Sequence, residues 1–96
     1  MQEVFLVKSE NKIKAEDIVK KDNVINRGSI TIKQPASLGI KEDGFFLVID
    51  AQPEALKRAE QLLAGVAEKY PKKDEVLKKI KEEEDKAIEG FGNILG

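Results

Sequence analysis

Two stretches of the chain run apolar without a polar break. Val4, Phe5, Leu6 and Val7 form one of them between Glu3 and Lys8, and Phe45, Phe46, Leu47, Val48 and Ile49 form the other, opened by Gly44. Both are too short for a globular helix and rich in strand formers, so each predicts a strand covered on both faces. Ser29 to Lys33 alternates instead, with Ile30 and Ile32 on one side only. That predicts a strand with one wet face, or an edge strand. Pro35 has no N–H to give to a ladder, so pairing ends near it. Leu38 and Ile40 flank Gly39 and add a short turn, and Lys41, Glu42, Asp43 and Gly44 make a turn of the Asp-Gly type into the second apolar run. Ser29 to Asp50 therefore predicts an antiparallel hairpin with a long irregular connection.

The helical periods are of unequal strength. Ile13, Ala15, Ile18 and Val19 fit one face of a two-turn helix that needs tertiary support. Asp22, Asn23, Asn26 and Gly28 mark a turn after it. Pro53 suits the first turn of a helix, where no N–H is needed. From there Ala55, Leu56, Ala59, Leu62, Leu63, Val66 and Tyr70 recur at steps of three and four, which predicts a helix to about Lys69, ended by Pro71. A charged helix is predicted over residues 72–89. Its apolar stripe of Val76, Leu77 and Ile80 is broken by Glu83 and Glu84 before Ala87, Ile88 and Phe91 resume it, so it either leaves the core there or bends. Gly90 and Gly92 are expected to unwind it, leaving Phe91, Ile94 and Leu95 as an apolar end.

Two strands apolar on both faces need two covers. The helix from Pro53 supplies one; the short helix, the C-terminal helix or a second copy of the protein must supply the other. The expectation is a single α+β domain over residues 1–96, with a mixed three- or four-stranded sheet, two main helices and one short helix. A homodimer or a protein partner enters as a candidate cover.

Composition narrows the chemistry more than it names it. A chain of 96 residues makes one thin core. It holds no cysteine and no histidine, which removes thiolate ligands, a cysteine nucleophile and the usual general base near neutral pH. The apolar start after Met1 is far shorter than a signal-peptide core, and no run approaches the roughly 20 residues of a membrane span. A cytoplasmic protein is expected, without membrane contact. Seventeen basic against eighteen acidic residues leave a net charge of −1, so no field draws the chain to nucleic acid. The charged fraction of 36%, mostly Lys and Glu, resembles that of proteins from thermophiles, where ion-pair networks replace thermolabile side chains.

Candidate chemistry centres on carboxylates. Glu82, Glu83, Glu84 and Asp85 place acidic groups at spacings of three and four on a helix, enough oxygens for a weak calcium site, or else a solvated face neutralised by Lys78, Lys79, Lys81 and Lys86. Glu42 and Asp43 form a second acidic group, at a turn where loop carbonyls add ligands, or else an ordinary hairpin tip. The metal candidates are thus Glu42, Asp43, Glu82, Glu83 and Asp85. Asp50 stands at the end of the second apolar strand, where open sheets place ligands and where an aspartate also caps the next helix. Asn26 to Ser29 offers an anion cradle or a plain turn. Ser9, Ser29, Ser37 and Thr31 lack a histidine partner and a Gly-x-Ser-x-Gly turn, and no glycine-rich phosphate loop occurs. No catalytic residue and no cofactor other than calcium is expected.

The strand-turn-helix unit Phe45 to Leu63 resembles the strand-helix half of ferredoxin-like small domains, and the Lys/Glu-rich, cysteine-free chain is similar to short uncharacterised proteins of archaea. The likeness covers about twenty residues and carries no functional residue with it. It implies a final strand, for which the chain after Tyr70 offers only Ile94 and Leu95. The function expected is a non-catalytic binding or interaction module that self-associates through an uncovered sheet face or the apolar C-terminal end. The alternative is weak calcium binding, and an enzyme comes third.

Overall fold

The two unbroken apolar runs lie side by side at the centre of one sheet. In the computed structural model the chain follows β1 (Gln2–Val7), α1 (Lys12–Lys21), β2 (Ser29–Lys33), β3 (Phe45–Asp50), α2 (Pro53–Leu62), β4 (Ala67–Lys69) and α3 (Lys73–Leu95), with 3-10 turns at Ser9–Asn11, Ile25–Arg27 and Pro35–Leu38. Residues 1–85 are described in full, and residues 86–95 only as the continuation of α3. Helix α3 runs on through Gly90 and Gly92 to Leu95, so the unwinding expected at these glycines does not occur, and Ile94 and Leu95 form no edge strand; what the side chains of Phe91, Ile94 and Leu95 do lies outside the described residues.

The strand order is β2-β3-β1-β4. The α+β class is as expected, but the sheet is not mixed: every adjacent pair is antiparallel. The reason lies in the crossovers. Helix α1 links β1 to β2 and α2 links β3 to β4, and each of these parallel pairs is split by a strand running the other way.

Alternation along β1 and β3 divides the core in two. Phe5, Val7, Leu47 and Ile49 face one side, where Ala15 and Val19 of α1 and Leu56 and Ala59 of α2 close over them. Val4, Phe46 and Val48 face the other side and meet Leu38, Tyr70 and Val76. The Phe46 and Tyr70 rings are tilted by 59° at 4.8 Å between centroids. The second cover is therefore α3 with the Pro35–Leu38 turn, from the same chain. Among the described residues the central strands β1 and β3 are covered on both faces.

Magnitudes decide what holds α3 there. A fully buried Val, Leu or Phe is worth about 1.5–3 kcal/mol, whereas a helix ion pair such as Lys79 with Glu82, at 4.0 Å, adds only a few tenths. Val76 is fully buried, Leu77 and Ile80 are half-buried, and Glu82 to Asp85 are exposed. The helix leaves the core after Ile80, which selects the first of the two expected outcomes.

The clearest departure is β4. The sequence period carries a helix to Lys69, yet α2 ends at Leu62 and the chain turns through Gly65 at φ +82°. The Val66 and Ala67 N–H groups both donate to the Leu63 carbonyl, at 2.9 Å each, which closes the helix end. A left-handed glycine just past the last turn is a stop signal, because side chains disfavour that conformation. Released there, Ala67, Glu68 and Lys69 pair with Val7, Leu6 and Phe5. The fourth strand thus sits before Tyr70, not at the C-terminus.

Candidate functional site

The five metal candidates are not brought together. Glu42 lies in the loop before β3 and accepts a long hydrogen bond from the Tyr70 hydroxyl at 3.5 Å. Glu83 reaches across to β2 and pairs with Lys33 Nζ at 3.2 Å. Glu82 neighbours Lys79, while Asp43 and Asp85 are exposed. Among the described residues no three carboxylates gather around one point. Glu82 to Asp85 face solvent, with Lys79 and Lys33 beside Glu82 and Glu83.

Other polar candidates turn out to be local structure. Asp50 does not cap α2, whose N-cap residue is Gln52 without a side-chain bond; its carboxylate instead accepts from the Met1 amine at 3.5 Å. Asn26 to Ser29 falls in and after a 3-10 turn, closed by the Gly28 N–H on the Ile25 carbonyl at 3.0 Å. It is the plain turn.

Asp22, which the sequence marked only as a turn residue, gathers more partners than a turn requires. Its carboxylate accepts the N–H groups of Val24 and Ile25 at 3.0 and 3.1 Å and the Arg58 Nε–H at 2.6 Å. Desolvation pushes this carboxyl up, but the Ile25 N–H, the Arg58 guanidinium and the Val24 N–H together outweigh it and hold it below its ordinary range. The turn itself was legible; an arginine 36 positions away was not. Lys69 forms a second polar node, 2.7 Å from Glu60 and 3.6 Å from Glu3, and its ammonium is pushed above its usual range by the Glu60 hydrogen bond and then by the Glu3 charge. Both nodes fasten elements together.

The largest concavities are open. One of about 630 Å³ separates α3 from the sheet, with Ser29, Thr31 and Asp50 on one wall and Lys78, Lys81 and Glu84 on the other. Among the described residues no polar or charged residue is buried, so the groups lining this groove remain hydrated.

The groove borders β2, an edge strand of the sheet. The Ala51 N–H donates to the Met1 carbonyl at 2.9 Å and the Tyr70 N–H to the Val4 carbonyl at 2.8 Å. These two bonds set the antiparallel alternation. Ile49 and Leu47 turn their N–H and C=O toward β1, while Asp50, Val48 and Phe46 turn theirs toward β2. Their partners Ser29, Thr31 and Lys33 face inward, which leaves the N–H and C=O of Ile30 and Ile32 at the outer edge. No loop takes up these groups among the described backbone bonds.

The two edges of the sheet are protected differently. Strand β4 has three residues, two of them the charged Glu68 and Lys69. Short length and charge are the usual guards against edge pairing. Strand β2 has five residues in unbroken register, no proline and one charge, Lys33, already paired with Glu83. Its alternation fitted a strand with one wet face or an edge strand, and its bare edge is the candidate interaction surface. Comparison with known proteins adds no relative: no family model, curated protein or solved structure matches the chain.

Proposed function

We propose that this protein is a non-catalytic interaction module that self-associates through the free edge of β2. The observation that carries the reading is the contrast between the guarded edge, β4, and the unguarded one. Added strands gain main-chain hydrogen bonds from such an edge and choose their side chains through alternate positions. The half-buried Ile30 and Ile32 border the core under α1 and α2, so an added strand also covers apolar surface. A β-α-β-β-α-β order with strands arranged β2-β3-β1-β4 is the split arrangement of ferredoxin-like domains, and we read the chain as a domain of that architecture with α3 added over the second face. Among the described residues no helix is long and apolar enough to cross a membrane. The cytoplasmic setting stays part of the proposal. Mass in solution tests it: sedimentation from micromolar to millimolar protein is expected to reach the dimer mass, and a monomer throughout removes the self-associating module.

A further inference from the structure

Resting on the self-association just proposed, we infer that two copies join β2 to β2 in an antiparallel seam whose two-fold axis passes beside Thr31. A two-fold seam admits only registers in which outward-facing residues oppose one another, and three are available. Centred on Ile30 or on Ile32, the seam leaves one end of β2 opposite Gly28 or Gln34, outside the strand. Centred on Thr31, it uses all five residues: Ile30 meets Ile32 of the second copy, Ile32 meets Ile30, and Ser29 meets Lys33. Residues paired in this way exchange both their bonds, so the outward N–H and C=O of Ile30 and Ile32 are all taken up.

Side chains favour the same register. The Ile30 and Ile32 pairs extend the apolar layer under α1 and α2 from one copy into the next, and opposed β-branched residues are a stabilising cross-strand combination. On the other face Thr31 opposes Thr31, and each Lys33 lies opposite a serine and not another lysine. In the same cross-strand row, one strand further in, stands Asp50, the partner of Ser29 in register. Rows two strands apart are about 10 Å from each other, beyond the screening length of about 8 Å at physiological salt, so this attraction is weak. The register still sets no like charges opposite one another at the ends of the seam.

The test uses the absence of cysteine from the chain. Thr31 is exposed and opposes itself at a non-hydrogen-bonded position, the closest kind of antiparallel pair and near enough for a disulfide. Under mild oxidant, Thr31→Cys is expected to cross-link roughly tenfold faster or more than Gln61→Cys, whose thiol sits on the exposed side of α2, because a seam raises the effective concentration of the facing thiols. A dimer mass with Thr31→Cys no faster than Gln61→Cys overturns this seam and leaves self-association standing. A monomer at every concentration with no selective cross-link overturns both, and capture of a different protein at the β2 edge with the chain itself monomeric replaces the second copy by that partner.

Discussion

Arg58 on α2 donates its Nε–H to Asp22 at the end of α1, at 2.6 Å. One carboxylate thereby joins the two helices that cover the same face and also closes the turn at Val24 and Ile25. Asp22→Ala is expected to lower the thermal midpoint by several degrees and Arg58→Ala by less, since only the first leaves two backbone N–H groups without an acceptor. Asp22→Asn falls between them at neutral pH. Because the folded carboxyl sits below its ordinary value of 3.8, its stabilisation is complete above that value and is lost as pH falls through the folded one. The gap between wild type and Asp22→Asn in urea midpoint should narrow as the buffer is acidified, and a gap that widens would contradict the assigned direction.

How far the chain was legible follows from what each signal depends on. β1 and β3 were readable because an unbroken apolar run needs only local sequence, and β2 because alternation marks one wet side. The cover of the second face was readable in Val76, Leu77 and Ile80, although a dimer satisfied the same requirement. β4 was not readable: Ala67, Glu68 and Lys69 have no strand pattern, while Leu62, Leu63, Val66 and Tyr70 continue the helical period. The discriminating residue was Gly65, whose left-handed turn outweighs that period. For the site, local charge density pointed to Glu42, Asp43 and Glu82 to Asp85, yet metal binding needs ligands to converge in space, and charge density says nothing of convergence. The bare edge of β2 depends on which strands are neighbours, which no single stretch encodes.

Two glycines with positive φ separate backbone strain from steric conflict. At Gly65, φ +82°, an added Cβ meets nothing within 4 Å, so Gly65→Ala costs only the left-handed penalty, about 1–2 kcal/mol, and Gly65→Asn less. At Gly44, φ +99°, the same atom would lie 2.2 Å from the Val7 carbonyl oxygen, at the end of the β1–β3 ladder. Gly44→Ala is expected to be clearly the more destabilising of the two in urea unfolding. Equal losses would mean that the β3 entry relaxes away from Val7.

Val76 is the only fully buried side chain that α3 contributes among the described residues. Val76→Ala removes two methyl groups and leaves a space against Val4 and Phe46, for a loss of about 2 kcal/mol. Glu83→Gln, which breaks the solvated pair with Lys33, is expected to cost under about 1 kcal/mol. Chemical denaturation of the two variants orders apolar packing against ion pairing on this helix. The reverse order would make the Lys33 pair, not the apolar stripe, the fastening of α3.

Tyr70 gives the fold a spectroscopic reporter at its second face. It is the sole tyrosine, and the chain has no tryptophan, so tyrosinate absorbance reads this residue alone. The ring is buried against Phe46, and the hydroxyl lies 3.5 Å from Glu42 Oε1 with Glu75 also nearby. Burial first, and then the Glu42 and Glu75 charges, raise the phenol above its ordinary value of 10.0. A folded value above the unfolded one means that the native state holds the proton more tightly. Its contribution is therefore complete below about pH 10 and is lost as pH rises through the folded value. Lys69, also raised, weakens the fold over the same alkaline range, so the difference between wild type and Tyr70→Phe isolates the phenol. At neutral pH Tyr70→Phe is expected to be nearly neutral, because a 3.5 Å contact is a poor hydrogen bond. On the alkaline side the variant should lose stability less steeply, and the wild-type absorbance should titrate later in native buffer than in denaturant. Coincident titration curves would place the hydroxyl in water and remove Tyr70 from the packed face beneath α3.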